Sequence, residues 1–150
     1  MGCDIHAYLE KKSKTGSYEY VTDVFNERDY NLFAFLAGVR NYSDIYPIVA
    51  SNRGIPVDVS DYTHSCYLSW GSDAHSASWI GIDELLKFDY TRDIHHNLTP
   101  TEVAKTLNSM VGVKKIYNPI TYKDFLEYTI FEDIMKMSVK GDRVVFWFDN

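Results

Sequence analysis

The chain has 150 residues, 45% of them hydrophobic and 24% charged, with a net charge of −6, which fits one globular domain and excludes a disordered or fibrous polymer. The negative charge repels phosphodiester polymers, so a nucleic-acid polymer is excluded as a partner and a small anion stays open where cations are grouped locally. No stretch reaches the ~18 apolar residues of a membrane-spanning helix, and the N-terminus lacks the basic and apolar regions of a signal peptide, so a cytoplasmic protein without a membrane partner is expected.

Residues 3 to 9 alternate strictly, with Cys3, Ile5, Ala7 and Leu9 on one side and Asp4, His6 and Tyr8 on the other, as in a half-buried strand. A turn-like stretch, Lys12 to Ser17, and the aromatic and β-branched run Tyr18 to Phe25 complete an N-terminal β-hairpin. "DYNLFAFLAGVR", Asp29 to Arg40, carries two apolar rows at helical spacing and reads as a buried helix. Residues 41 to 62 hold two prolines, a glycine and little period, a long connection of the kind that serves as a binding loop or lid.

Cys66 to Trp70 reads as a short strand, and "SASWIGIDELLKFDY" as a strand around Trp79 followed by a short helix from about Asp83. Thr99-Pro100-Thr101-Glu102 matches a capping box and starts a helix to about Met110. Thr121 to Met137 reads as one further helix, and "RVVFWF", apolar on both faces, as a central C-terminal strand. The expectation is a single α+β domain over residues 1–150, with a mixed sheet of about four to five strands and three to four helices.

Asp4 and His6 share a strand face, and with His75 or Asp73 they form a candidate divalent-metal set. The competing reading is a metal-free Asp–His hydrogen bond that orients a strand, with no cofactor. Cys3 with His75 is discounted as a nucleophile and base, because a strand that aims Asp4 and His6 at a site turns Cys3 away. Cys3 and Cys66 lie far apart with no CxxC pair, so both are expected as small core residues.

The cations are more informative. Between Thr15 and Leu86 there is no lysine, and the basic residues are Arg28, Arg40 and Arg53. Arginine suits a site where a planar fork grips phosphate or carboxylate in two places, whereas lysine suits a solvated surface. The alternative is that each pairs with a local acid, among them Glu27, Asp29, Asp44 and Asp58. Arg53-Gly54, followed by Pro56, Asp58 and Ser60, reads as an anion-gripping loop, and the tyrosines and tryptophans around it can stack on a base.

Four blocks, "MGCDIH", "RDYNLFAFLAGVR", "RGIPVDVS" and "DAHSASWIGIDELL", resemble in that order a family of short bacteriophage and prophage proteins that begin Met-Gly-Cys-Asp-Ile-His. The resemblance covers the chain up to Tyr90 and implies a phage origin, hence the cytoplasm of a bacterial host cell. The blocks contain Asp4, His6, Arg28, Arg40, Arg53, Asp58, Ser60, His75, Ser78 and Trp79. By analogy with small acidic phage proteins that act against host defence, the expected function is to bind and sequester a small phosphate-containing, nucleotide-type immune signal. In that reading arginines grip phosphate, His6, His75 and Ser78 bond a ribose or base, Trp79 stacks, and a homo-oligomer completes the pocket. Two alternatives stand beside it: a metal-dependent or histidine-based phosphoester hydrolase using Asp4, His6 and His75, and a module that binds a host protein.

Overall fold

The computed structural model describes residues 2–109, 119–127 and 129–150. Its strands are β1 (Asp4–Lys12), β2 (Tyr18–Val24), β3 (His75–Gly81) and β4 (Arg143–Asp149). Its helices are α1 (Tyr30–Ala37), α2 (Asp61–Trp70), α3 (Ile82–Lys87), α4 (Pro100–Ser109), α5 (Tyr122–Leu126) and α6 (Thr129–Lys140). The strands form one sheet in the order β2-β1-β4-β3, giving the expected α+β domain with an N-terminal hairpin and an inner C-terminal strand.

Every described strand pairing is antiparallel, where a mixed sheet was expected. The reason lies in the helical excursion between β3 and β4, which returns the chain to the sheet end it left. There the Ile82 N–H donates to the Asp142 carbonyl at 2.9 Å, and the Asp142 N–H donates to the Glu10 carbonyl at 2.8 Å. Helices exceed the expected number for two local reasons. The Thr121–Met137 stretch is divided at Glu127, which takes a left-handed φ of 61°, leaving α5 before it and α6 after it; Tyr128, between them, lies outside the described residues. Cys66 to Trp70 belongs to α2 and is no strand. A run this short and aromatic has no decisive period, and Ser60 starts a helix upstream by accepting the Thr63 N–H on its Oγ at 3.3 Å.

Other local signals hold as read. Asp29 Oδ1 accepts the N–H groups of Asn31 and Leu32 and so caps α1, while Gly38 closes it in the left-handed region at φ 69°. Leu32 through Leu36 are all buried, as two apolar rows require. Thr99 and Glu102 form the reciprocal capping box that opens α4; the expected end of that helix at Met110 lies outside the described residues.

The sheet has two covered faces. Cys3 and, from β1, Ile5, Ala7 and Leu9, with Val144, Phe146 and Phe148 of β4, face a core built with α1, α3, α5 and α6. The residues between them turn to the other face, where His6, Tyr8 and Trp147 meet Tyr62, Tyr67 and Trp70 of α2 in an aromatic layer. The connection of residues 38–60 is tied down along its length: Ile45 and Val49 are buried, the Ile48 N–H donates to the Phe35 carbonyl at 2.8 Å, and Asn41 clasps Ile45 through two hydrogen bonds.

Gly141, in the turn from α6 to β4, is required by space. A Cβ there would lie 2.5 Å from Leu9 Cδ1 and 3.0 Å from the Glu10 carbonyl oxygen. Gly141→Ala is therefore expected to lower unfolding free energy by about 1–3 kcal/mol through overpacking, read as a lower urea midpoint at unchanged slope.

Candidate functional site

The strand pairings sort the candidate residues to the two ends of the sheet. At the end where β1 and β3 begin and β4 finishes lie Asp4, His6, Arg28, Arg40 and His75. Toward the other end lie Arg53, Asp58, Ser60, Ser78 and Trp79. The single hollow expected from the sequence, with all three arginines around the opening strand, is thus divided.

At the first end, Arg28 donates from Nε to Asp4 Oδ1 at 2.8 Å and from Nη2 to Oδ2 at 2.9 Å, a planar two-point pair with both side chains half exposed. This guanidinium lies against Gly2, where any Cβ would overlap it. Arg40 follows α1 and donates from Nη1 to the Tyr42 hydroxyl at 3.1 Å; it lies 5.8 Å from the Tyr30 ring centre, and its charge acts on the Cys3 thiol. Tyr30 in turn accepts the Cys3 N–H on its hydroxyl at 3.1 Å. Arg28 therefore reaches the first residue of β1, and Arg40 lies by Tyr30, which holds the residue before it. Cys3 is fully buried, and that burial pushes its thiol above the ordinary value, in keeping with a core role.

His6 projects on the aromatic face. Its ring centre is 4.2 Å from that of Trp70, and Nε2 lies 3.0 Å from Asp149 Oδ2. Asp149 Oδ1 also accepts the Asp4 N–H at 3.3 Å, so one carboxylate joins the two inner strands at this end. The Asp4–His6 bond expected within the opening strand is not formed: His6 bonds Asp149 of β4, and Asp4 pairs with Arg28. His75 pairs in register with Phe148, whereas His6 pairs with Trp147. Neighbouring residues of β4 face opposite ways, so the two imidazoles lie on opposite sides of the sheet. Asp4, His6 and His75 consequently do not converge, and among the described residues no three His, Cys, Asp or Glu side chains are grouped to hold a metal ion.

Two buried side-chain polar atoms among the described residues have no hydrogen-bond partner, His75 Nε2 and Trp147 Nε1. Both belong to this same end, one on each face. A hollow of about 350 Å³ opens beside Arg28, walled by Asp29–Asn31 and Phe125–Glu127.

The residues at the other end hold the fold together. Arg53 forms a two-point pair with Glu84, at 2.7 Å on each side, and lies 4.7 Å from the Trp79 ring centre. Its backbone N–H donates to Ser78 Oγ at 3.0 Å. Asp58 accepts from Arg143 Nη1 at 2.8 Å, and the Ser60 N–H donates to Glu10 Oε2 at 3.0 Å. Glu10 is fully buried and is bound by Arg143 Nε at 3.0 Å. Glu10 and Arg143 are the residues that sequence reasoning passed over. A signal for them existed: each stands at a position of its strand that continues the face of Tyr8 and Trp147.

The arginine partners are mostly remote in sequence, Asp4 for Arg28 and Glu84 for Arg53, and not the neighbouring acids considered from the sequence. These pairs set a pH dependence. Hydrogen bonds from Arg28, Arg143 and Arg53 hold the carboxyls of Asp4, Asp58 and Glu84 below their ordinary values. A carboxyl depressed in the folded chain adds stability that is complete above the unfolded value of about 4 and is lost as pH falls through the folded one. Urea midpoints are therefore expected to change little from these groups between neutral pH and about pH 5 and to fall below about pH 4; Arg53→Met is expected to return the Glu84 carboxyl upward in an NMR titration.

No known protein family, curated protein or solved structure matches the chain. Among the described residues no helix is long and apolar enough to cross a membrane.

Proposed function

We propose that the protein is a binding protein for a small phosphate-bearing, nucleotide-type ligand, held without turnover at the end of the sheet where β1 begins. The observation that supports this reading is that two guanidinium groups, of Arg28 and Arg40, lie at one sheet end that also carries an unpartnered buried polar atom on each face, His75 Nε2 and Trp147 Nε1. A buried polar atom without a partner costs about 1–3 kcal/mol, and a ligand that supplies the missing partner on one face removes that cost there. Arg28 is the phosphate contact in this reading: it exchanges the half-exposed Asp4 carboxylate for a phosphate that fits the same planar fork. The hollow beside it has room for the remainder of the ligand.

Arg53, Asp58, Ser60, Ser78 and Trp79, grouped with the site from sequence, have structural partners at the other end and are left out of it. The site faces solvent, and a second copy of the chain closes it in this reading, as the expected homo-oligomer. With the phage origin that the four sequence blocks imply, the ligand class is a nucleotide signal of bacterial immunity, and the protein acts by sequestering it in the host cytoplasm. The hydrolase alternative has less support, because its three metal-site residues do not converge.

Protein purified from bacteria is expected to release a phosphorus-containing small molecule on heating, identified by mass spectrometry and unchanged by incubation with fresh protein. Arg28→Ala is expected to abolish its recovery while Arg53→Ala keeps it. Recovery of a hydrolysed product after incubation would favour the hydrolase.

A further inference from the structure

A second cleft, of about 460 Å³, lies between β2 and α6. Its floor is apolar: Leu9, Phe25, Leu32, Ile130 and Met137 line it, each buried. Its rim is acidic, with Asp23, Glu27, Asp29, Glu132 and Asp133 set against Lys136 and Lys140. Asp29 is occupied in capping α1, and Asp23 accepts the Tyr20 hydroxyl. Glu27, Glu132 and Asp133 are exposed and make no ion pair among the described residues.

The strand beside this cleft is an edge. β2 pairs with β1 on one side, and among the described residues no backbone hydrogen bond is made along its other side. The opposite edge of the sheet is covered: the Gly54 N–H donates to the Ala77 carbonyl at 2.9 Å, and the Arg53 N–H to Ser78 Oγ. Thr22, Asp23 and Val24 of the open edge themselves line the cleft. An unpaired strand edge next to an apolar floor suits an extended peptide, whose backbone adds to the strand while alternate side chains enter the cleft. The excess of carboxylates selects the charge of the occupant.

We propose that this cleft docks an extended lysine- or arginine-bearing segment of a partner protein, lying along the free edge of β2. An apolar side chain of the segment rests on the floor, and its cations meet Glu27, Glu132 and Asp133. A second copy of this chain is the poorer occupant, because its net charge of −6 opposes an acidic rim. The inference does not rest on the phosphate-ligand reading: Asp29 is the one residue that borders both hollows, and it is occupied in capping α1.

The test is fluorescence anisotropy with a labelled peptide Lys-Val-Lys-Leu-Lys-Val-Lys and its glutamate counterpart. The lysine peptide is expected to bind, to weaken as salt is raised, and to lose at least about tenfold in affinity with Glu132→Lys/Asp133→Lys. Asp61→Lys/Asp83→Lys, which changes net charge equally on α2 and α3, is expected to retain most of the binding. Amide signals of Thr22 to Val24 are expected to shift on titration. Should the reversed-charge double variant melt early, Glu27→Lys in the loop before α1 carries the same comparison. Equal binding of both peptides, equal loss in the two double variants, or shifts confined to another surface would overturn the proposal. So would concentration-dependent dimerisation abolished by Glu132→Lys/Asp133→Lys, which would make a second copy the occupant.

Discussion

Arg143→Ala is expected to lower the unfolding free energy by about 3–5 kcal/mol, the cost of breaking a buried ion pair from one side. The guanidinium is buried between two carboxylates, with Nη2 2.8 Å from Glu10 Oε1 and Nη1 2.8 Å from Asp58 Oδ1, and it covers the Tyr18 ring at 3.4 Å. Glu10 stands opposite Arg143 in the pairing of the two inner strands and is 0% exposed. Without Arg143, its carboxylate keeps only the Ser60 N–H among its described side-chain bonds. The effect extends beyond the pair, because Asp58 and Ser60 are where the long connection joins α2. Loss of the pair frees that junction, and the near-ultraviolet dichroism of the aromatic layer beneath α2 is expected to fall.

A double variant separates the cause. Glu10→Leu/Arg143→Met removes both charges and leaves apolar groups of similar size, and such replacement of a buried pair is often neutral or better. It is expected to recover most of the loss in urea unfolding. A single Arg143→Ala cost below about 1 kcal/mol would mean that Glu10 is solvated in the folded chain.

Trp147→Ala is the second large expected effect, again about 3–5 kcal/mol. The indole is fully buried in β4, with ring centres of Tyr8 and Tyr67 at 5.0 and 5.2 Å. It is the floor on which α2 rests. Thr63 is the one fully buried residue of that helix, which otherwise rests on the aromatic layer. The expected signature is selective: hydrogen exchange across α2 accelerates far more than across α1, which buries five consecutive residues in the other core. Trp147→Phe keeps an aromatic plate and forfeits no hydrogen bond, because Nε1 has no partner. It is expected to cost less than half as much as the alanine variant.

Local elements were legible in the sequence where a physical device acts over a few residues. The alternation of residues 3 to 9 maps onto the two faces of β1, the two apolar rows of α1 are both buried, and the Thr99–Glu102 box opens α4. Legibility stopped where distant residues decide. Cys66 to Trp70 is helical because Ser60 and the aromatic face of the sheet make it so, and nothing within those residues distinguishes the two periods. The arginines illustrate the same limit. Their number and spacing suggested a common grip, yet a cation's partner is chosen by the tertiary fold, which places Asp4 beside Arg28 and Glu84 beside Arg53. Of the ten candidate residues, Asp4, His6, Arg28, Arg40 and His75 lie at the sheet end where β1 starts, on both faces of the sheet.

The most direct measurement is the NMR spectrum of arginine Nε–Hε groups while ADP-ribose, and separately a cyclic dinucleotide, is titrated into the protein. Saturable shifts of the Arg28 and Arg40 signals with Arg53 and Arg143 unmoved are the expected result. Shifts at Arg53 alone, or no arginine response to either phosphate ligand, would contradict a phosphate site at the start of β1.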